Sequence, residues 1–224
     1  MDNAVVRARS DLQEAVREIH IMAGLGPDER ANEHERPVVI GITSPTYGDG
    51  KTTVAIALAA SLSSDLGAQV TLVDADLQTH SIGEAFGLHG RGGLTDIVAG
   101  TISLADARYP VQGPNLTVIG AGTATLEAAR VAYSTALRQT MSTIRSESQF
   151  VIVDLPATNH SMTAPILAQR CDGVVIVARS GHSTIGNIER VAGLLRDTNV
   201  MGVVINRARS HIPAFVERAL NLRR

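Results

Sequence analysis

Gly41-Ile42-Thr43-Ser44-Pro45-Thr46-Tyr47-Gly48-Asp49-Gly50-Lys51-Thr52-Thr53 decides how the chain is read. Ahead of it, Pro37-Val38-Val39-Ile40 is short and β-branched, as a buried strand is. Behind it, Val54-Ala55-Ile56-Ala57-Leu58-Ala59-Ala60-Ser61-Leu62 is apolar on all sides and predicts a buried helix ending near Gly67. A strand, a glycine-bearing loop, then Lys-Thr opening a helix is the order of a phosphate-binding P-loop. Gly48 and Gly50 carry no Cβ, so the backbone is free to curl and aim successive N–H groups at phosphate oxygens. Lys51 is placed to reach β- and γ-phosphates, and the Thr52 hydroxyl to ligate Mg²⁺. The general pattern has glycine six residues before the lysine, where this chain has Pro45. Lys51 is also the only lysine in the chain.

Composition narrows the rest. A chain of 224 residues with 44% hydrophobic and 19% charged residues suits one soluble α/β domain with a sizeable core. A net charge of −2 gives no support for a DNA-coating or polybasic membrane protein, so no nucleic-acid partner is expected. The basic cluster Arg207, Arg209, His211, Arg218, Arg223 and Arg224 reads as a solvated helix end. The lone Cys171 excludes an internal disulfide and any Cys-x-x-Cys site. No apolar run has the length of a membrane span and no signal-peptide core opens the chain, so a cytoplasmic location is expected. Work at a membrane then requires a partner to hold the protein there.

Along the chain, Leu12, Ala15, Val16 and Ile19 recur at helical spacing and predict an amphipathic helix over residues 10–23. Residues 1–36 are read as that helix and a polar loop, and residues 37–224 as the single globular domain. Val70-Thr71-Leu72-Val73-Asp74-Ala75-Asp76-Leu77 is a second strand carrying two acids at i and i+2, on one side of an extended chain. In an open parallel sheet, ligands sit beyond the carboxyl ends of the strands, which brings these acids beside the P-loop. The glycine-rich residues 83–100 predict short helices, residues 116–120 a third strand and residues 126–146 one long helix. Phe150-Val151-Ile152-Val153-Asp154 has the Walker B form, a carboxylate at a strand tip holding Mg²⁺ through its water. A short helix at 162–169, a strand at 173–178, a helix at 183–196, a strand at 200–206 and a helix at 213–222 complete the reading. Strands alternating with helices imply a three-layer P-loop NTPase fold, a mostly parallel sheet with helices on both faces.

Ser44-Pro45-x-x-Gly48-Asp49-Gly50-Lys51-Thr52, then Val73-Asp74-Ala75-Asp76-Leu77, then Val151-Ile152-Val153-Asp154-Leu155-Pro156 resemble the bacterial tyrosine kinase (BY-kinase) family. These are cytoplasmic ATPase domains of capsule and exopolysaccharide machinery, within the deviant P-loop class that also holds partitioning and positioning ATPases. The resemblance implies a Mg²⁺-ATP-binding, tyrosine-kinase-like ATPase serving polysaccharide synthesis or export. It places Gly48, Asp49, Gly50, Lys51, Thr52, Thr53 and Asn206 around ATP, with Asn206 at the adenine. It makes Lys51, Asp74 and Asp76 the catalytic group, and Thr52, Asp74 and Asp154 the Mg²⁺ group. It implies a membrane-anchored activator of the polysaccharide co-polymerase type at the inner face of the plasma membrane. Glu14 and Arg17 match two positions of the family's ring-forming Glu-x-x-Arg-x-x-Arg pattern, whose third position is His20 here.

The chain also departs from the family. Asp-Leu-Arg-x-Pro becomes Asp76-Leu77-Gln78-Thr79-His80, and the paired proline of the third motif is Ala157. The only tyrosines are Tyr47, Tyr109 and Tyr133, with no terminal tyrosine cluster in this sequence. Two rivals follow. One is a partitioning or positioning ATPase, against which stands Thr46 in place of that class's signature lysine. The other is a nucleotide-gated scaffold with little turnover, suggested by Gln78, His80 and Ala157.

Overall fold

The computed structural model describes Gln13 and residues 16–19, 37–111 and 115–208. Seven strands form one sheet: β1 (Val38–Thr43), β2 (Val70–Asp74), β3 (Tyr109–Pro110), β4 (Leu116–Ile119), β5 (Phe150–Asp154), β6 (Gly173–Arg179) and β7 (Val200–Asn206). Their order is β3-β4-β2-β5-β1-β6-β7, parallel throughout except for the β3–β4 pair. Runs of apolar β-branched residues form β1, β2, β5 and β6 because both faces of the parallel sheet are covered there. Alternate residues then feed two cores. Ile40, Ile42, Leu72, Ile152, Val175 and Val177 pack on one face with Val54, Leu58 and Leu62 of α1 (Lys51–Asp65). Val39, Val73, Val151, Val153, Val174 and Ile176 pack on the other.

That second face is covered by α3 (Leu94–Ala99), α4 (Ala128–Tyr133), α5 (Thr135–Ser146), α6 (Ala164–Ala168) and α7 (Ile185–Leu194). The short α2 (Ser81–Ala85) lies on the α1 side through Ile82. The expected three-layer arrangement is the one observed. Residues 16–19 are helical, and Val16 and Ile19 are buried in the α1 core while Arg17 and Glu18 face solvent. Gln13 is also helical and exposed, while Glu14, the other residues of the expected N-terminal helix and the helix expected at 213–222 lie outside the described residues.

Three expectations are corrected. The P-loop helix is buried on one side only, with Thr53, Ala60 and Ser64 exposed. Strand β2 stops at Asp74, so Asp76 lies in the turn beyond it. The long helix expected over 126–146 is two helices, because Ser134 adopts extended backbone (φ −67°, ψ 144°) between them. Its hydroxyl accepts the Leu137 N–H at 3.0 Å, capping α5, and donates to the Val131 carbonyl at 2.9 Å, closing α4. Ser134→Ala removes both bonds and is expected to cost about 1 kcal/mol. The check is a lower urea midpoint at an unchanged m-value. An unchanged midpoint would show that the break does not depend on the cap.

Candidate functional site

A parallel sheet brings its strand tips to one edge, and the register sets which tips meet. Asp74 and Asp154 are paired residues at the ends of neighbouring β2 and β5, and Ile42 of β1 lies across from Asp154 on the other side. The P-loop leaves β1 and delivers Lys51 as the first residue of α1. Two left-handed residues make the curl, Gly48 (φ +82°) and Gly50 (φ +98°). Gly50 is required on a second ground: a Cβ there would stand 2.1 Å from the Asn206 amide nitrogen.

Lys51 is buried, and its ammonium lies 2.8 Å from Asp76 Oδ2 and 3.4 Å from Asp154 Oδ1. Its Nζ also donates to Thr52 Oγ1 at 3.2 Å, and that hydroxyl donates to Asp154 Oδ2 at 2.7 Å. Lys51, Thr52, Asp76 and Asp154 are therefore one cluster. Asp74 is beside them but turned to its own loop, accepting N–H groups from Asp76 and Ile82 at 3.2 Å each. The expectation that Asp74 and Asp76 point the same way is corrected, because β2 ends between them.

Charge crowding shows in the protonation. Burial pushes the Asp74 carboxyl up to about 7, helped by the charge of Asp154 and opposed by Lys51. Burial raises Asp154 to about 6, against the pull of Lys51 and Thr52. Burial would by itself push the Lys51 ammonium down, but Asp154 and Asp76 outweigh it and hold it above its ordinary value.

Asp49 is buried and wholly taken up by the protein. Its Oδ2 accepts the Thr46 N–H at 2.9 Å and the Thr46 hydroxyl at 3.0 Å. Its Oδ1 accepts from the Ser183 hydroxyl at 2.8 Å and from His182 Nδ1 at 2.9 Å. An ionised carboxylate has no proton to give, so Nδ1 carries the hydrogen. Burial pushes the Asp49 carboxyl up, but the bonds from Ser183, His182 and Thr46 prevail and hold it below the usual range. The Asp49 carbonyl accepts the Asn206 side-chain amide at 2.8 Å, which commits the Asn206 nitrogen to the P-loop. Thr53 is exposed on the outer side of α1.

Sequence reasoning gave no role to His182, Ser183, His160 or Tyr47. Tyr47 stacks on His160, ring centroids 5.2 Å apart, and its hydroxyl donates to Gln78 Oε1. His182 lies 133 residues from Asp49, and no spacing rule reaches that far. Magnesium suits the oxygens present. Among the described residues no cluster of three or more His, Cys, Asp or Glu is placed to hold a metal alone. Thr52 and Asp154 supply a partial oxygen set that phosphate and water would complete, which is how Mg²⁺ is usually bound.

Comparison with known proteins finds relatives of the same fold. The ParA family model, described as "NUBPL iron-transfer P-loop NTPase", matches residues 36–219. A putative tyrosine-protein kinase EpsB of Ralstonia solanacearum is 32% identical over 170 residues, 75% of this chain. The chain spans only 22% of that relative's length. The tyrosine-protein kinase CpsD of Streptococcus pneumoniae serotype 4 is 27% identical over 172 residues, covering 75% of each chain. Among solved structures, the VpsO kinase domain superposes with a TM-score of 0.80 at 25% identity, covering 92% of this chain and 98% of that one. No described helix is long and apolar enough to cross a membrane. The expected resemblance to bacterial tyrosine kinases is borne out by these relatives. With the P-loop curl, the buried lysine and the paired strand-tip carboxylates, it follows that the chain belongs to the ParA-type P-loop NTPases.

Proposed function

We propose that the chain is a Mg²⁺-ATP-dependent phosphotransferase of the tyrosine-kinase type, acting in capsular or exopolysaccharide synthesis or export. The observation that carries this is Lys51: the one lysine of the chain, buried and charged against Asp76, in the loop after β2, and Asp154, at the tip of β5. P-loop amides from Gly48 to Thr53 and Lys51 would hold the phosphates, with Thr52 and Asp154 at the metal. A carboxyl near neutrality suits Asp74 for accepting the proton of an attacking hydroxyl. Asp76 would keep Lys51 oriented beside the metal. With its nitrogen spent on Asp49, Asn206 has its oxygen left to accept from the adenine amine. A membrane-anchored co-polymerase-type activator would recruit the protein to the inner face of the plasma membrane. Arg17, exposed on its helix, and Glu14 would join copies into an oligomer.

A positioning-type ATPase is the second reading, and the ParA family match is what favours it. Against it, Thr46 turns inward to Asp49 and offers no cation to a partner site. Nucleotide-dependent co-sedimentation with DNA or liposomes, without phosphotyrosine, would favour the second reading.

Two measurements follow. Lys51→Ala is expected to abolish the calorimetric heat of Mg²⁺-ATP and to cut turnover about 100-fold or more. Equal turnover in both proteins would point to a scaffold instead. The second concerns stability without ligand. Asp74 titrates at about 7 folded and near 3.8 unfolded, so in that window the folded chain keeps a proton the unfolded chain has lost. Its contribution is full below the lower value and declines as pH rises to the upper one, by up to about 1.4 kcal/mol per pH unit. Urea midpoints at about pH 5 and about pH 7.5 should therefore fall more steeply in the wild type than in Asp74→Asn. Parallel slopes would remove Asp74 as the source.

A further inference from the structure

The sheet order places β5 between β1 and β2, with Asp154 at the β5 tip. Tyr47 comes from the loop after β1. Its ring rests on His160, in the 3-10 turn at Thr158–His160 beyond β5, and its hydroxyl bonds Gln78, in the loop beyond β2. The one side chain thereby ties together the loops that follow β1, β5 and β2, the three neighbouring strands that carry the site. Gln78 continues the connection inward, its N–H donating to Asp76 Oδ1 at 3.3 Å, and Asp76 pairs with Lys51. The turn that presents His160 is itself fastened to the P-loop. The Thr158 and Asn159 N–H groups donate to the Ser44 and Pro45 carbonyls at 2.9 and 3.3 Å. A Thr43–Thr158 hydroxyl bond at 2.9 Å and a Thr43 bond to the Pro156 carbonyl at 2.8 Å lie beneath.

We propose that Tyr47 is a specificity-determining residue of the phosphoryl-transfer site, a strap across the β5 tip that keeps solvent water off the terminal phosphate. The assignment rests on the nucleotide reading above. A tyrosine suits the task, since it covers a large area with two side-chain torsions and holds a fixed pose when both ring and hydroxyl are engaged. Tyr47 is 37% exposed, so one part of it meets solvent while the rest is covered. Burial, with the Asp76 charge behind it, holds the phenol above its ordinary value, so the hydroxyl stays protonated and remains a donor to Gln78.

The reaction held back is hydrolysis. A water oxygen would bond to the γ-phosphorus, the bond to the β,γ-bridging oxygen would break, and ADP would leave with that electron pair. The water's proton would pass to solvent, giving inorganic phosphate. Excluding water from the reacting centre reserves the phosphoryl group for an acceptor that can displace the strap. Gln78 stands where the resembled family carries arginine and Tyr47 where the partitioning relatives carry glycine. The two departures are thus partners in one contact.

The test uses the full chain with Mg²⁺-ATP, reading phosphate release, and calorimetry with ADP. Tyr47→Ala is expected to raise phosphate release about tenfold, about 1.4 kcal/mol in barrier, at an ADP affinity within about twofold of wild type. His160→Ala should move release in the same direction. Tyr47→Phe keeps the stack but loses the Gln78 bond, and should fall between wild type and Tyr47→Ala. Unchanged or slower release in Tyr47→Ala with ADP affinity intact would overturn the assignment. So would a parallel loss of ADP affinity, which would make Tyr47 only a brace for the loop. Wild-type protein that neither binds ADP nor releases phosphate would overturn the nucleotide reading itself, and the strap with it.

Discussion

One buried ammonium facing more carboxylate than it can neutralise is the condition that shapes this site. Lys51 has Asp76 and Asp154 as direct partners, with Asp74 next to Asp154 in the sheet register. Pairing keeps the lysine charged in spite of burial, and the surplus is relieved by Asp74 and Asp154 titrating far above the usual carboxylate range. A triphosphate would bring further negative charge to the same strand tips. A divalent cation arriving with it, and Lys51 trading carboxylate for phosphate oxygen, would offset that charge. The electrostatics of the cluster thus favour a ligand that brings a cation with its phosphates.

The loop around that ammonium is held largely from outside. Asp49 is the buried junction, joined to His182 and Ser183 beyond β6 and, through its carbonyl, to Asn206 at the end of β7. The Ser44 and Pro45 carbonyls are taken by the turn beyond β5. Such bracing orders the loop before any ligand arrives, which lowers the entropic cost of binding. It also links the tip of β7 to the P-loop through one residue. A change at Asn206 reaches the loop through the Asp49 carbonyl.

What the sequence made legible follows from physical range. Strands β1, β2, β5 and β6 announce themselves as runs of apolar β-branched residues, because both faces of each are buried, and β7 shows the same composition although Val203 and Ile205 are exposed. Lys51, Thr52, Asp74, Asp76 and Asp154 could be read because strand tips of a parallel sheet share an edge. The two-residue β3 is too short to leave a pattern, and the break at Ser134 is hidden in a segment whose apolar spacing fits one continuous helix. The inward turn of Asp49 could not be read either. Its spacing says P-loop, while its partners besides Thr46 are His182 and Ser183, more than a hundred residues away. Tyr47 and His160 meet for the same topological reason, and neither is a conspicuous residue in its own segment.

The departures from the resembled family separate once the backbone is considered. Pro45, which the family pattern shares, replaces the glycine of the general P-loop pattern without strain, since the left-handed turns of the loop fall at Gly48 and Gly50 instead. Ala157 replaces a proline at φ −62° and ψ 121°, angles a proline would itself adopt, so the local path of the chain does not depend on the exchange. His80 is different in kind. It replaces a proline but sits at φ +50°, which the pyrrolidine ring forbids and which costs a side chain-bearing residue roughly 1 kcal/mol or more. The loop from Asp76 to His80 must therefore follow its own course in this chain. That course carries Gln78 to the Tyr47 hydroxyl and sets the Ile82 N–H against Asp74. Two of the exchanges leave the machinery as the family pattern would have it. The one that bends the backbone lies where the strap is fastened, and there this chain has built something of its own.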